Sequence, residues 1–433
     1  MNLSIGVHDA LPSREALYQG TASAVPGDRV KGLGFRWNEK AGLPAGCDML
    51  PLRNALEVQR RPAMRKNITE TPKKNRQSRS QLSGNLTVGI DLGDRSSRYC
   101  ILNQEGEVVA ASAVATTKKD LSRVFGTLRP SRLALEVGTH SPWVSRHLKA
   151  MGHEVIVANP RRTRLIAESS NKQDRLDAET LARLARVDPK MLFPIRHRGE
   201  AAQADLAMIR ARAALVEART RLINTARGLT KSFGERLRAC DAGYVDGRLA
   251  QDLPAALREA IEPLLEQAAE LSARIQQYDE RIQQMARKQY PETALLTAVA
   301  GVGVLIALTF ILTLEDPHRF PKSRAVGAYL GMKPRRRQSG GRDPELGISK
   351  EGDVYLRKLL VQGAHVILGR NGSDSDLRRF GQRLISRGGK GAKKKARVAV
   401  ARKLAVLLHH LWVTGEVYEA VHRKPAQPVP AAA

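Results

Sequence analysis

The chain is poor in cysteine, in aromatic residues, in acid and in long apolar runs. Its three cysteines, Cys47, Cys100 and Cys240, stand far apart with no CxxC pair. That spacing excludes a disulfide framework and a cysteine zinc site, and it fits a reducing cytosol. Aromatics make up only 4% of the 433 residues, within an otherwise ordinary soluble composition of 42% apolar and 27% charged. The longest apolar run, near Val302–Leu312, is too short to span a bilayer. No basic amphipathic anchor or compact secretion signal stands out, so a membrane partner and export are not expected. The shortage of acid is the most informative. Lysine and arginine total 72 against 43 acidic residues, a formal charge of +29. An excess of that size points to a polyanionic partner, and nucleic acid comes first.

A chain of this length calls for two or three domains. Residues 1–84 lack sustained periodicity and end in "ETPKKNRQSRSQLSGN". They read as a basic, disordered arm, or as translation begun upstream of a later start such as Met64, with a small capping subdomain as the alternative. From residue 85 to 197 short strands alternate with helices: "LTVGIDLG", "RYCIL", "VVAASAV", a helix at Lys118–Leu128, "RLALEVG", a helix near Pro142–Met151, and "EVIVAN". This is an α/β pattern with a sheet of mixed strand directions. Residues 198–290 carry two long helices, near Ala201–Phe233 and Pro254–Tyr290. In the second, Ile261, Leu264, Ala268, Leu271, Ile275, Tyr278, Ile282 and Met285 alternate by three and four. That is a heptad seam, which predicts a coiled coil. It closes as a hairpin within one chain or as a stalk between two. Residues 291–423 read as an all-α domain, with helices at Asp353–Leu368, Ser375–Ser386 and Ala392–Thr414, and 424–433 as a disordered tail.

Four acids in the α/β domain carry a possible chemistry. Asp91 closes a buried strand, where a charge needs a task or a partner. Glu136 closes "RLALE" in the same way. Asp174 and Asp177, three apart at a helix start, can share one helix face. Converging, the four would suit two magnesium ions for in-line displacement at a phosphodiester. Singly, each has a plainer reading. Asp177 is a helix cap, Glu136 an ordinary strand-end acid, and "GIDLG" also the phosphate turn of actin-like ATPases. Asp94 reads as a solvated turn residue.

With these acids in order, the chain resembles the DEDD-motif transposases of the IS110 group of bacterial insertion sequences. The resemblance rests on "GIDLG", "ALEVGTHSPWVSRHL", "VANPRRTRLIAESSNKQDRLDAETLARL", "AVAGVGVLIALTFILTLEDPHRFPKSRAVGAYLGMKP", "SGG" and "GISKEGDVYLRKLLVQGA", spanning about residues 86–415. It implies a RuvC-like, RNase-H-type first domain with Asp91, Glu136, Asp174 and Asp177 as metal ligands. It also implies a homodimer pairing to a tetramer, and a noncoding bridge RNA that specifies donor and target DNA. The family places its first acid near the N-terminus, so the 84 or so preceding residues are a departure.

Gly301 and Gly303 flank Val302 between two apolar helices, as in helix-hairpin-helix modules. Their backbone N–H groups suit a DNA phosphate, although a tight turn without ligand would look the same. From Leu377 to Gly415 there is no acid, while Arg378, Arg379, Lys393, Lys394, Lys395 and Arg397 accumulate with others. One-signed charge over that length reads as neutralisation of a nucleic-acid backbone. "GGKGAKKK" lacks P-loop spacing, and His409 and His410 read as structural.

Ser339 stands in "RRRQSGG". Alone it is a loop serine. Gly340 and Gly341 leave room for a phosphate ester, Arg335, Arg336 and Arg337 offer guanidinium groups, and the resemblance implies that this serine is the nucleophile. No histidine within the stretch serves as base, so activation would come from the four-acid site, within one chain or between subunits. The reading is a magnesium-assisted DNA transposase or recombinase acting in the bacterial cytoplasm, at the nucleoid. Its rivals are a RuvC-like hydrolytic junction resolvase that does not use Ser339, and a noncatalytic nucleic-acid-binding relic. An actin-like ATPase is more distant, because no second phosphate loop follows.

Overall fold

The computed structural model describes residues 85–159, 174–338, 341–342, 344 and 346–421, with the side chains of residues 174–176 excepted. The expected arm at 1–84 and tail at 424–433 lie outside the described residues, as does Ser339. The chain divides into two compact units, one ending at Arg196 and the other beginning at His197.

In the first unit, β1 (Thr87–Asp91), β2 (Ser96–Leu102), β3 (Val108–Ala115), β4 (Arg132–Glu136) and β5 (Glu154–Ala158) form one sheet in the order β3-β2-β1-β4-β5. The first three strands meander antiparallel, whereas β4 and β5 run parallel to β1. This mixed α/β arrangement is consistent with the RNase-H-like domain that the resemblance implies. Alternation along the strands decides what covers each face. Val88, Ile90, Leu133 and Leu135 point to one side, where α1 (Lys118–Phe125) and α2 (Ser141–Ala150) bury Leu121, Phe125, Val144 and Leu148 against them. The other side is lined by small residues, Gly89, Cys100, Ala134 and Ala158. They let α3 (Asp174–Val187) approach closely through Ala178, Leu181, Ala182 and Ala185.

The second unit begins with α4 (Glu200–Ser232) and α5 (Ala255–Gln289). Tyr290 Oη donates to Asp205 at 2.7 Å, Arg212 grips Asp279 at 2.7 and 3.0 Å, and Arg219 donates to Ser272 at 3.1 Å. Partner numbers fall on α5 as they rise on α4, so the helices pack antiparallel within one chain. Ile261, Ala268, Ile275, Ile282 and Met285 are buried, but Leu264, Leu271 and Tyr278 are only half-buried. Leu265 is buried in addition, because Val245, Ala250 and Leu253 of the connecting segment fold back onto that side of α5.

After α6 (Thr293–Thr297), the apolar helix α7 (Val304–Leu314) is enclosed on two sides. Leu308 and Leu312 pack against Ile209 and Met285 of the hairpin. Ile306, Phe310 and Leu314 join a core with α9 (Val354–Leu368) and α11 (Ala392–Thr414). The short α8 (Arg324–Tyr329) and α10 (Asp376–Ser386) complete this part. His409 is an internal tie: its Nδ1 lies 2.9 Å from the Ser323 hydroxyl and its Nε2 2.8 Å from the Pro317 carbonyl. Among the described residues, no helix is long and apolar enough to cross a membrane.

Candidate active site and nucleic-acid surface

The register of the parallel strands places two acids side by side. Gly89 pairs with Ala134 and Ile90 with Leu135, so Asp91 and Glu136 end neighbouring strands together. Each lies two residues beyond a small residue of the face covered by α3, so both carboxylates belong to that face. α3 crosses β1 with its Ala178 backbone directly over Gly89, where any Cβ would collide with the Ala178 carbonyl oxygen. Asp177 is therefore delivered to the same end of the sheet.

Electrostatics agree with this convergence. Burial, then the charge of Asp91, then that of Asp177, push the Glu136 carboxyl above the usual carboxylate range. Asp91, Glu136 and Asp177 are all half-buried, so like charges share a partly desolvated place. Among the described residues no three acid, histidine or cysteine side chains are close enough together to grip one ion. The helix starts at Asp174, but the side chain of this fourth acid lies outside the described residues. An all-oxygen carboxylate set with mutual repulsion still has the chemistry of a hard divalent cation site, since a cation offsets the neighbouring charges that add to burial in raising Glu136.

Two loops at this end of the sheet hold a pair that sequence reasoning missed. Asp94, three residues beyond Asp91, accepts from His140 Nε2 at 3.1 Å, and His140 lies four residues beyond Glu136. Trp143 Nε1 donates to His140 Nδ1 at 3.1 Å. The buried Ser141 hydroxyl bonds both the N–H and the carbonyl of Gly138, at 3.0 and 2.8 Å, which locks the loop. The available signal was the H-x-x-W spacing at a helix start, which sets both rings on one side of the first turn.

In the second unit, Ser339 and Gly340 lie outside the described residues, but their setting is described. Arg335 N–H donates to the Gly347 carbonyl at 3.0 Å, Ser349 N–H to that of Lys333 at 2.8 Å, and Lys350 N–H to that of Gly331 at 2.9 Å. These bonds and the single bridge Pro334–Ile348 make a neck between residues 331–335 and 347–350, and Ser339 falls between them in the sequence. Arg335, Arg336 and Arg337 leave the neck exposed to solvent. At its base Asp353 caps α9 by accepting from Leu356 N–H at 2.8 Å, and it pairs with Arg210 of α4.

The nucleic-acid candidates divide by environment. Gly301 has φ +83° and packs on α9, where a Cβ would stand 2.8 Å from the Gly363 carbonyl, so its glycine has a structural reason. Gly303 opens α7 with space around it and no side-chain cap, leaving helix N–H groups for an anion. Arg378 is turned inward, donating to the Ile367 and Gly369 carbonyls at 2.7 Å each, where it closes the end of α9. Arg379 grips Asp374 at 3.0 and 2.6 Å. Lys393, Lys394 and Lys395 are exposed on the first turn of α11, and Arg397 is half-exposed.

Comparison with known proteins identifies the family of the chain. Residues 88–233 match a DEDD-type family described as transposase, and residues 293–379 match the transposase IS116/IS110/IS902 family. A probable family 20 transposase of Pseudomonas aeruginosa is 30% identical over 308 residues, covering 69% of this chain and 89% of that one. The transposase for insertion sequence element IS1111A of Coxiella burnetii is 28% identical over 363 residues, covering 82% and 96%. The transposase for element IS1328 of Yersinia enterocolitica is 30% identical over 288 residues, covering 65% and 84%.

Proposed function

Because the chain belongs to the IS110-type family of DNA transposases, we propose that it cuts and rejoins the strands of its insertion sequence through a serine–DNA intermediate. The observation that carries this reading is the convergence of Asp91, Glu136 and Asp177 at one sheet end, where burial and then the charges of the other two raise the Glu136 carboxyl. Asp91, Glu136, Asp174 and Asp177 would hold magnesium, two ions in our reading. Bound there, the metal supplies charge neutralisation at the attacked phosphate.

The protein's own groups do the rest. The Ser339 Oγ forms a bond to phosphorus as the bond to one DNA oxygen breaks, and the proton given up by the hydroxyl ends, directly or through solvent, on that departing oxygen. The phosphodiester energy is kept in the serine ester for rejoining, whereas hydrolysis would discard it. Arg335, Arg336 and Arg337 face the negative charge that develops on the phosphate oxygens. Because the acids and the serine belong to different units, the reaction requires them to meet within one chain or between subunits of a dimer or tetramer.

Gly303 and the lysines of α11 would hold the DNA backbone, with the α6–α7 turn used as a helix-hairpin-helix and the α4–α5 hairpin as a coiled coil. A bridge RNA would specify donor and target, and the formal charge of +29 agrees with RNA and DNA together.

The test combines protein, element ends and RNA from the element's flank, then quenches in denaturant. We expect a covalent protein–DNA adduct that disappears in both Ser339→Ala and Asp91→Ala. Normal strand cleavage by Ser339→Ala, with no adduct in the wild type, would establish a hydrolytic resolvase instead. Absence of any magnesium-dependent cleavage would leave a binding protein.

A further inference from the structure

The His140–Asp94 pair is not explained by stability. Asp94 has 89% of its side chain exposed, where a single hydrogen bond to histidine contributes little. His140, at 28%, is by contrast held from behind. The indole of Trp143 is a donor only, so the His140 Nδ1 it contacts must be the acceptor and the ring proton sits on Nε2. The imidazole is thus fixed in both orientation and tautomer, with its N–H directed at Asp94. Asp94 occupies that donor from the solvent side.

Three further features suit an anion in its place. His140 is the N-cap residue of α2, and that helix start has no side-chain cap. The helix dipole there favours negative charge. Both loops continue directly from the strands that end in Asp91 and Glu136, so a phosphate at the acids brings the adjoining backbone past them.

We propose that His140 is a phosphate-contacting residue of the acid site. Its Nε2–H passes from Asp94 to a nonbridging oxygen of the DNA strand, with Trp143 as the positioning residue. Asp94 is then a competitor that the strand displaces, and its charge repels the phosphate until the exchange occurs. This rests on the DNA-cutting reading above.

The test is equilibrium binding of the full chain to a fluorescent duplex carrying an element end. RNA from the element's flank is supplied throughout, and EDTA prevents cutting. His140→Ala should weaken binding roughly tenfold, the scale of a hydrogen bond to a charged oxygen. Asp94→Ala should instead tighten it. Trp143→Phe, which keeps an aromatic side chain but loses the indole N–H, should fall between wild type and His140→Ala. A merely structural pair gives a different pattern, because either deletion then breaks the same bond and both variants weaken together. That common direction, or unchanged affinity in His140→Ala at an unaltered melting temperature, overturns the proposal. If the wild type binds no duplex, the DNA-cutting reading itself has failed; if it binds and His140→Ala binds equally, only the role of His140 has.

Discussion

Gly89 and Ala178 touch backbone to backbone: no side chain, not even a methyl, fits between strand β1 and helix α3. This contact sets the height of the helix above the sheet, and therefore where Asp177 stands relative to Asp91 and Glu136. Gly89→Ala would push α3 away or bend the strand. We expect a loss of about 1–3 kcal/mol, as for other overpacked cores, and loss of strand cleavage beyond what the lowered stability explains. Thermal melting checks the first and cleavage at a temperature where the variant remains folded checks the second. A variant that melts like the wild type would show that the helix is not held by this contact.

Glu136 yields a pH prediction. Its carboxyl is raised in the folded chain by burial and by Asp91 and Asp177, so over the window above the ordinary carboxylate pKa folding takes up a proton. Stability without metal then falls as pH rises through that window, the reverse of the usual paired carboxylate. Glu136→Gln should flatten this fall, and magnesium should raise the melting temperature of the wild type more than that of the variant. Coincident melting curves for the two proteins across pH, with and without magnesium, would show that the three acids do not share a site.

How far the sequence revealed this arrangement depends on the distance over which each feature is determined. Apolar runs that stop at Asp91 and Glu136 are local, and the period-two alternation gives the face on which each acid lies. The helix periods of α4 and α5 are local too, but which leucine is buried is not. Leu265 rather than Leu264 is enclosed, because a returning segment twenty residues away covers it. Arg378 and Arg379 look alike in a run of charge, yet one closes the end of α9 and the other pairs with Asp374. The His140–Asp94 bond spans 46 positions between two loops and leaves no periodic trace. Whether Ser339 meets the acids is likewise a matter of tertiary or quaternary placement, which no spacing within "RRRQSGG" encodes.

The exposed lysines of α11 predict a salt effect. Each lysine that neutralises a phosphate contributes about 0.9 to the slope of log affinity against log salt. Replacing Lys393, Lys394 and Lys395 by glutamine should lower the slope by up to that amount for each, without changing the melting temperature, because all three are exposed. Arg378→Gln should behave in the opposite way. It removes two carbonyl contacts at the end of α9, so it should cost about 1–3 kcal/mol of stability and leave the salt slope near that of the wild type. Filter-binding titrations over a range of salt, with melting curves beside them, separate the two classes.

The neck that flanks Ser339 in the sequence predicts a variant that separates binding from chemistry. Gly331 and Gly352 both have positive φ, at +69° and +78°. A Cβ on Gly331 would collide with the Glu351 carbonyl oxygen, and one on Gly352 with that of Tyr329. Neither position can take alanine without disturbing the neck, and each substitution also carries backbone strain of roughly 1 kcal/mol. The α11 lysines lie elsewhere in the unit and should keep their grip on DNA. We therefore expect Gly352→Ala to bind element ends within a few-fold of wild type while forming little or no serine–DNA adduct. Mass spectrometry of the quenched reaction reads the adduct directly. An undiminished adduct on Ser339 would mean that the neck does not position the nucleophile.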